Sequence, residues 1–164
     1  MKNKSTLFLA QAAMIAALYV VLTFVFAPIS FREVQVRVAE ALTILPVFTP
    51  AAVPGLFIGC LLANVLGGAM IPDVIFGSLA TLIGAFFTWK LRRASPYLAP
   101  IPPILSNTLI IPFVLRYAYL IEMPIPLMML TIFFGEVISC GLLGILLYFA
   151  LDKKRDAIFR IDNH

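Results

Sequence analysis

Residues 41–72 read ALTILPVFTPAAVPGLFIGCLLANVLGGAMIP, a run of 32 positions without a charge. As one straight helix it would be about 48 Å long, against a bilayer core of about 30 Å, so the run must double back. The turn is legible in PAAVPG (Pro50 to Gly55), since proline disfavours continuing a helix and glycine permits the reversal. Two helices follow from this, about 38–48 and 53–71, the former too short to span a membrane alone.

Outward from this run the same pattern repeats. Residues 5–31 carry no charge and predict a first helix over 5–27. A cleaved signal peptide is disfavoured there, because only Leu7-Phe8-Leu9 precedes the small-x-small triplet Ala10-Gln11-Ala12. From Phe31 to Glu40 the charged or polar Arg32, Glu33, Gln35, Arg37 and Glu40 alternate with apolar residues, which predicts an extended or hairpin-like surface segment. Pro72 and Asp73 mark a turn into a helix over 74–91, closed by Lys90, Arg92 and Arg93. Four prolines between Pro96 and Pro103 make a rigid connection to helices over 104–120 and 127–151, and a basic tail over 152–164 is expected to be solvated.

Composition agrees: 62% of the 164 residues are hydrophobic and 12% charged, with a mean hydropathy of +1.05, far from a soluble domain. The expectation is an all-α membrane protein, one integral domain over 1–164. Of the twelve Lys and Arg residues, nine flank the ends that an inside amino terminus would make cytoplasmic; only Arg32, Arg37 and Arg116 lie towards the outside. Six transmembrane helices with both termini cytoplasmic is the topology this predicts. The basic residues are topology signals, so nucleic acid is not an expected partner. Cys60 and Cys140 lie within apolar stretches without metal-ligand spacing, and neither a disulfide, a metal site nor a P-loop is expected. No catalytic residue can be assembled either, which disfavours an enzyme.

Polar groups in hydrocarbon are costly and ask for a reason. Asn64, Asn107 and Glu136 fall within predicted spans, while Arg37, Glu40 and Asp73 sit at the outer mouth, so the set can converge on one cavity opening outward. Each has a structural alternative: Asn64 and Asn107 as interhelical glue, Asp73 as a helix cap, Arg116 snorkelling to the interface. Glu136 is hardest to dismiss, because a mid-span carboxylate needs a partner. On the first helix Ala12 with Ala16, and Ala13 with Ala17, are small-x-x-x-small pairs that admit a close helix neighbour, in this chain or another. Phe86, Phe87 and Trp89 beside Lys90 read as an inner interfacial belt.

AALYVVLT (Ala16 to Thr23), VRVAEALTILP (Val36 to Pro46), PGLFIGCLLAN (Pro54 to Asn64), DVIFGSLATL (Asp73 to Leu82), the Asn107 region and Gly135-Glu136 carry a resemblance. With the alanine pattern of helix one, the chain resembles the substrate-binding S components of energy-coupling factor transporters, and more closely the queuosine precursor transporter family. The resemblance implies a six-helix bundle in the cytoplasmic membrane that captures a deazaguanine base on the outer side. It also implies a transmembrane coupling protein and two cytoplasmic ATPases as partners, with ATP on those subunits and no cofactor on this one. Docking would use Ala13 and Ala17 or their one-residue-shifted neighbours Ala12 and Ala16. A guanine-like ring offers a pair of N–H donors to one carboxylate, and an aminomethyl cation would want a second. Glu136 with Glu40 or Asp73 would serve, Asn64, Asn107 or Arg37 would donate to the carbonyl edge, and Tyr117 and Phe134 are candidates to sandwich the ring. Two other readings stay open: an S component for another vitamin-sized ligand, and a stand-alone proton-coupled transporter with Glu136 as the proton site.

Overall fold

The computed structural model describes residues 2–27 and 37–159. Six helical elements carry the fold: α1 (Lys2–Val25), α2 (Val38–Val47), α3 (Ala52–Leu66), α4 (Ile71–Leu91), α5 (Ile101–Tyr117) and α6 (Ile125–Asp152). No strand occurs among the described residues. The extended segment expected over 31–40 lies largely outside them; where description resumes, Arg37 is extended but Val38 already begins α2.

α2 is wound as a 3₁₀ helix, unusual at ten residues. Residues 39–47 are all buried, and the element packs against α1, α3, α4 and α6. At about 2.0 Å rise per residue it covers about 20 Å, so the short second helix is a central peg enclosed by its neighbours. Neighbouring helices supply its packing, which is why a conformation with poorer hydrogen bonds persists there.

Prolines start helices here as often as they stop them. Pro72, Pro102 and Pro126 sit in the first turns of α4, α5 and α6, where the missing N–H is no loss. Those helices therefore begin two or three residues before the positions read from the sequence. α3 ends at Leu66 rather than 71 because Gly67-Gly68 follows, with Gly68 at φ +73. α1, α4 and α6 are long and apolar enough to cross a membrane; α2, α3 and α5 are shorter apolar helices.

Small residues set the crossings. A Cβ on Gly55 would stand 2.8 Å from the Ala12 carbonyl oxygen, and one on Gly59 would stand 3.0 Å from the Ala16 Cα, so α1 and α3 touch through these four positions. α4 meets α5 at Gly84, whose added Cβ would lie 2.7 Å from the Pro103 Cα. Gly84→Val is therefore expected to cost about 1–3 kcal/mol through overpacking against backbone. Gly141→Ala, where the added carbon meets only Val137 at 3.8 Å, should be tolerated. Thermal unfolding of both variants in detergent checks the contrast.

At the carboxyl end of α4 Lys90 lies over the Phe86 and Trp89 rings and Arg92 over Trp89, an arrangement suited to an interfacial belt. The tail after Asp152 is not wholly solvated, contrary to expectation. Phe159 stacks on Phe48 at the end of α2, which also stacks on Tyr148, and Arg155 caps the group. An aromatic side chain in an otherwise basic tail has apolar area to bury, and the Phe48 ring at the end of the peg offers the surface.

Candidate functional site

The end of the bundle where α2 begins and α3 meets α4 encloses a cavity of about 320 Å³. Tyr19 and Thr23 come to it from α1, Arg37 and Ala39 from the start of α2, Asn64 from the end of α3 and Asp73 from the first turn of α4. Leu120, at φ +54, reverses the chain after α5 and lays Tyr119 and Ile121 against the same space.

Asp73 is buried, and is not the cap of α4, a place taken by Met70. Its Oδ2 accepts a hydrogen bond from the Tyr119 hydroxyl at 2.9 Å, and that hydroxyl oxygen accepts the Met70 N–H at 3.2 Å. Partial burial, followed by the nearby Asp73 charge, holds the Tyr119 phenol above its ordinary range despite the Met70 N–H, so it remains a donor. Asp73 Oδ1 is buried without a hydrogen-bond partner. Asn64 donates to the Asp73 carbonyl at 3.4 Å. Gly77 makes the space: a Cβ there would stand 3.2 Å from both Asn64 Nδ2 and Asp73 Oδ1.

Beneath the cavity lies a buried polar cluster. Tyr19 lines the cavity and donates to Glu40 Oε1, while Glu40 Oε2 is buried and unpartnered. Glu136 lies at the end of the α-helical part of α6, where Val137–Leu143 widens into a π-helical turn, a distortion frequent at functional positions. The Cys140 thiol donates to Glu136 Oε2 at 3.0 Å and its sulfur accepts from Thr43 at 3.4 Å. Asn107 from α5 stands beside both carboxylates, and Thr81 beside Glu40. One ligand atom each from Glu40, Glu136 and Cys140 fall within 4.8 Å of one another. Arg37 lies within electrostatic reach of both Asp73 and Glu40.

The structure thus brings together Arg37, Glu40, Asn64, Asp73, Asn107 and Glu136, three around the cavity and three below it. It does not bring Tyr117 or Phe134. Tyr117 is 72% exposed and lines a separate apolar groove between α4 and α5, and Phe134 is 54% exposed. Helical phase decides this: Phe134 is two residues from Glu136 and so faces away from it. The aromatic groups at the cavity are Tyr19 and Tyr119. Sequence reasoning singled out neither Tyr19 nor Tyr119; Cys140 lies one turn after Glu136, a spacing that could have drawn it in.

The alanine pairs divide as well. Ala12 and Ala16 are buried against Gly55 and Gly59, an internal crossing, whereas Ala13 and Ala17, one position on around α1, are exposed.

Comparison with known proteins gives this geometry a context. A family model described as "QueT transporter" matches residues 9–153. The protein "Queuosine precursor transporter QueT" of Lactococcus lactis subsp. cremoris (strain MG1363) is 36% identical over 85 residues, 51% of this chain and 50% of that protein. The match therefore spans about half the length of that relative. No solved structure matches. With nearly the whole bundle inside the family match and its longest helices suited to crossing a bilayer, the chain belongs to the QueT transporter family and is a multi-pass membrane protein.

Proposed function

We propose that this chain is the substrate-capturing subunit of an ATP-driven importer of the energy-coupling factor type, and that it takes a deazaguanine base, a queuosine precursor, from the outer face of the bacterial cytoplasmic membrane. One observation carries the reading: a cavity of base-sized volume lies directly over a buried cluster in which acceptors outnumber donors. A guanine-like ring is donor-rich on one edge and presents a carbonyl on another. Asp73, Glu40 and Glu136 accept the N–H donors, Arg37 and Asn64 donate to the carbonyl with Asn107 below them, and Tyr19 and Tyr119 flank the ring. A ligand with no N–H donors would leave the open oxygens of Glu40 and Asp73 unpaired. The name of the Lactococcus relative agrees with the substrate class.

In this reading all six helices lie within the membrane, both termini are cytoplasmic and the cavity opens outward. Ala13 and Ala17 face a transmembrane coupling protein, two ATPases below it hydrolyse ATP, and this chain holds no cofactor of its own. The test is uptake of labelled base in cells expressing the chain with and without the coupling protein and ATPases. Accumulation only with all three partners is the expected result; equal accumulation by the chain alone would favour the proton-coupled alternative. Cysteine labelling checks the topology: positions 90–95 and 152–164 should react from the cytoplasm and 32–35 from outside. Reaction of 32–35 from the cytoplasm alone would sink it.

A further inference from the structure

We infer that Tyr119 is a positioning residue for ligand recognition: its hydroxyl fixes the Asp73 carboxylate with one oxygen left open at the cavity, and so sets which edge of a bound ring is accepted. The inference rests on the reading of the cavity as a base site and adds to it a residue and an orientation.

Asp73 has a ready structural role, since it sits in the first turn of α4, where a negative charge is favoured. That role does not account for its surroundings. The side chain is 6% exposed and lines the cavity, and its two oxygens are treated differently. The Tyr119 hydroxyl has one proton, and its oxygen already accepts the Met70 N–H at 3.2 Å, so the proton goes to Asp73 Oδ2 at 2.9 Å. A carboxylate turns readily about its last side-chain bond, and this contact removes that freedom. Oδ1 becomes a fixed, buried acceptor with no hydrogen-bond partner among the described residues. Buried acceptors are normally paired, so an open one in a cavity wall points to a donor that arrives with the ligand.

A donor stands beside it. A carbon added to Gly77 would lie 3.2 Å from both Asp73 Oδ1 and Asn64 Nδ2, so the two atoms border the same space. The bonds that the Asn64 amide makes there are long, 3.4 Å to the Asp73 carbonyl and 3.7 Å to the Cys60 sulfur, and a better acceptor would draw it away. An acceptor next to a donor matches a ring edge with an N–H next to a carbonyl. It mismatches the edge in which an amino group replaces the carbonyl and the ring nitrogen has no proton. Tyr119 lies beyond the end of α5 and is placed by Leu120 at φ +54, a conformation that leucine holds only where its surroundings fix it. The connector after α5 thus reaches the start of α4 through the Tyr119 hydroxyl, which touches both Met70 and Asp73.

The test is equilibrium binding to the full chain of deazaguanine and of its analogue with an amino group in place of the carbonyl. The parent should prefer deazaguanine by about a hundredfold or more. Tyr119→Phe removes only the hydroxyl; it should weaken deazaguanine about tenfold and cut the preference below about tenfold, the scale of a hydrogen bond to a charged group. Added to Asp73→Asn, it should cost less than about twofold more, because Tyr119 acts through Asp73. Met70→Pro reaches the same hydroxyl from the other side, removing its N–H at a φ of −63 that proline adopts, and should repeat the loss. It carries the test if Tyr119→Phe does not fold. Unchanged affinity and preference in these variants would overturn the inference and leave the base site standing. Losses that multiply in the double variant would mean that Tyr119 touches the ring on its own account, which also overturns it. A parent that binds both rings equally overturns the edge assignment and the inference with it, and a parent that binds neither overturns the base site as well.

Discussion

Glu136→Gln should lose about 2–4 kcal/mol of ligand binding, roughly 30- to 1,000-fold, with the fold retained. The carboxylate is 4% exposed, so what it contributes depends on the groups it faces. Glutamine keeps the size and one acceptor oxygen. It replaces the other oxygen by an NH2 that either points at the ligand's N–H donors or displaces the Cys140 thiol from its 3.0 Å contact. Either way a donor is left unpaired in a buried site, which costs more than the loss of an average hydrogen bond. Titration of the variant beside the parent, with thermal unfolding as the folding control, checks it. An unchanged affinity would make Glu136 a structural residue of the π-helical turn.

The second large effect separates two neighbouring pairs of alanines. Ala13→Trp and Ala17→Trp add bulk at exposed positions of α1, away from the buried Ala12 and Ala16. They should leave ligand binding by the isolated protein unchanged and cut uptake by the assembled transporter at least about tenfold, because a close helix–helix approach is blocked. Ala12→Trp and Ala16→Trp place the same bulk against Gly55 and Gly59, a crossing so close that a single carbon added to either glycine would meet the alanine backbone at about 3 Å. These should destabilise the bundle by about 3 kcal/mol or more and lose binding and uptake together. Assembly, uptake and unfolding measured on all four variants decide between an outer docking face and ordinary internal packing.

Most of the helix inventory was legible because the charge-free runs are longer than one span and the turns between them are written in proline and glycine. The boundaries were less so. Proline was read as a stop at 72, 102 and 126, whereas each occupies the first turn of the helix it was thought to precede. That α2 would wind as a 3₁₀ helix through the centre had no local signal, since its conformation is set by the four helices it packs against. In the site, charge and hydrogen-bonding chemistry picked out Arg37, Glu40, Asn64, Asp73, Asn107 and Glu136, because each is too polar for its surroundings. Aromatic residues offer no such contrast in a chain with 12% aromatic content. Tyr117 and Phe134 were chosen by depth alone, and helical phase turned both outward. Tyr119 reaches the cavity only because the chain reverses at Leu120.

The central claim is that this bundle itself recognises a deazaguanine base. A calorimetric titration of the purified chain, without coupling protein or ATPases, against deazaguanine bases, pterins and vitamins tests it most directly. The expected result is saturable one-to-one binding of a deazaguanine base that no pterin or vitamin displaces at comparable concentration. Saturable binding of a vitamin or pterin, with none for any deazaguanine, would contradict it.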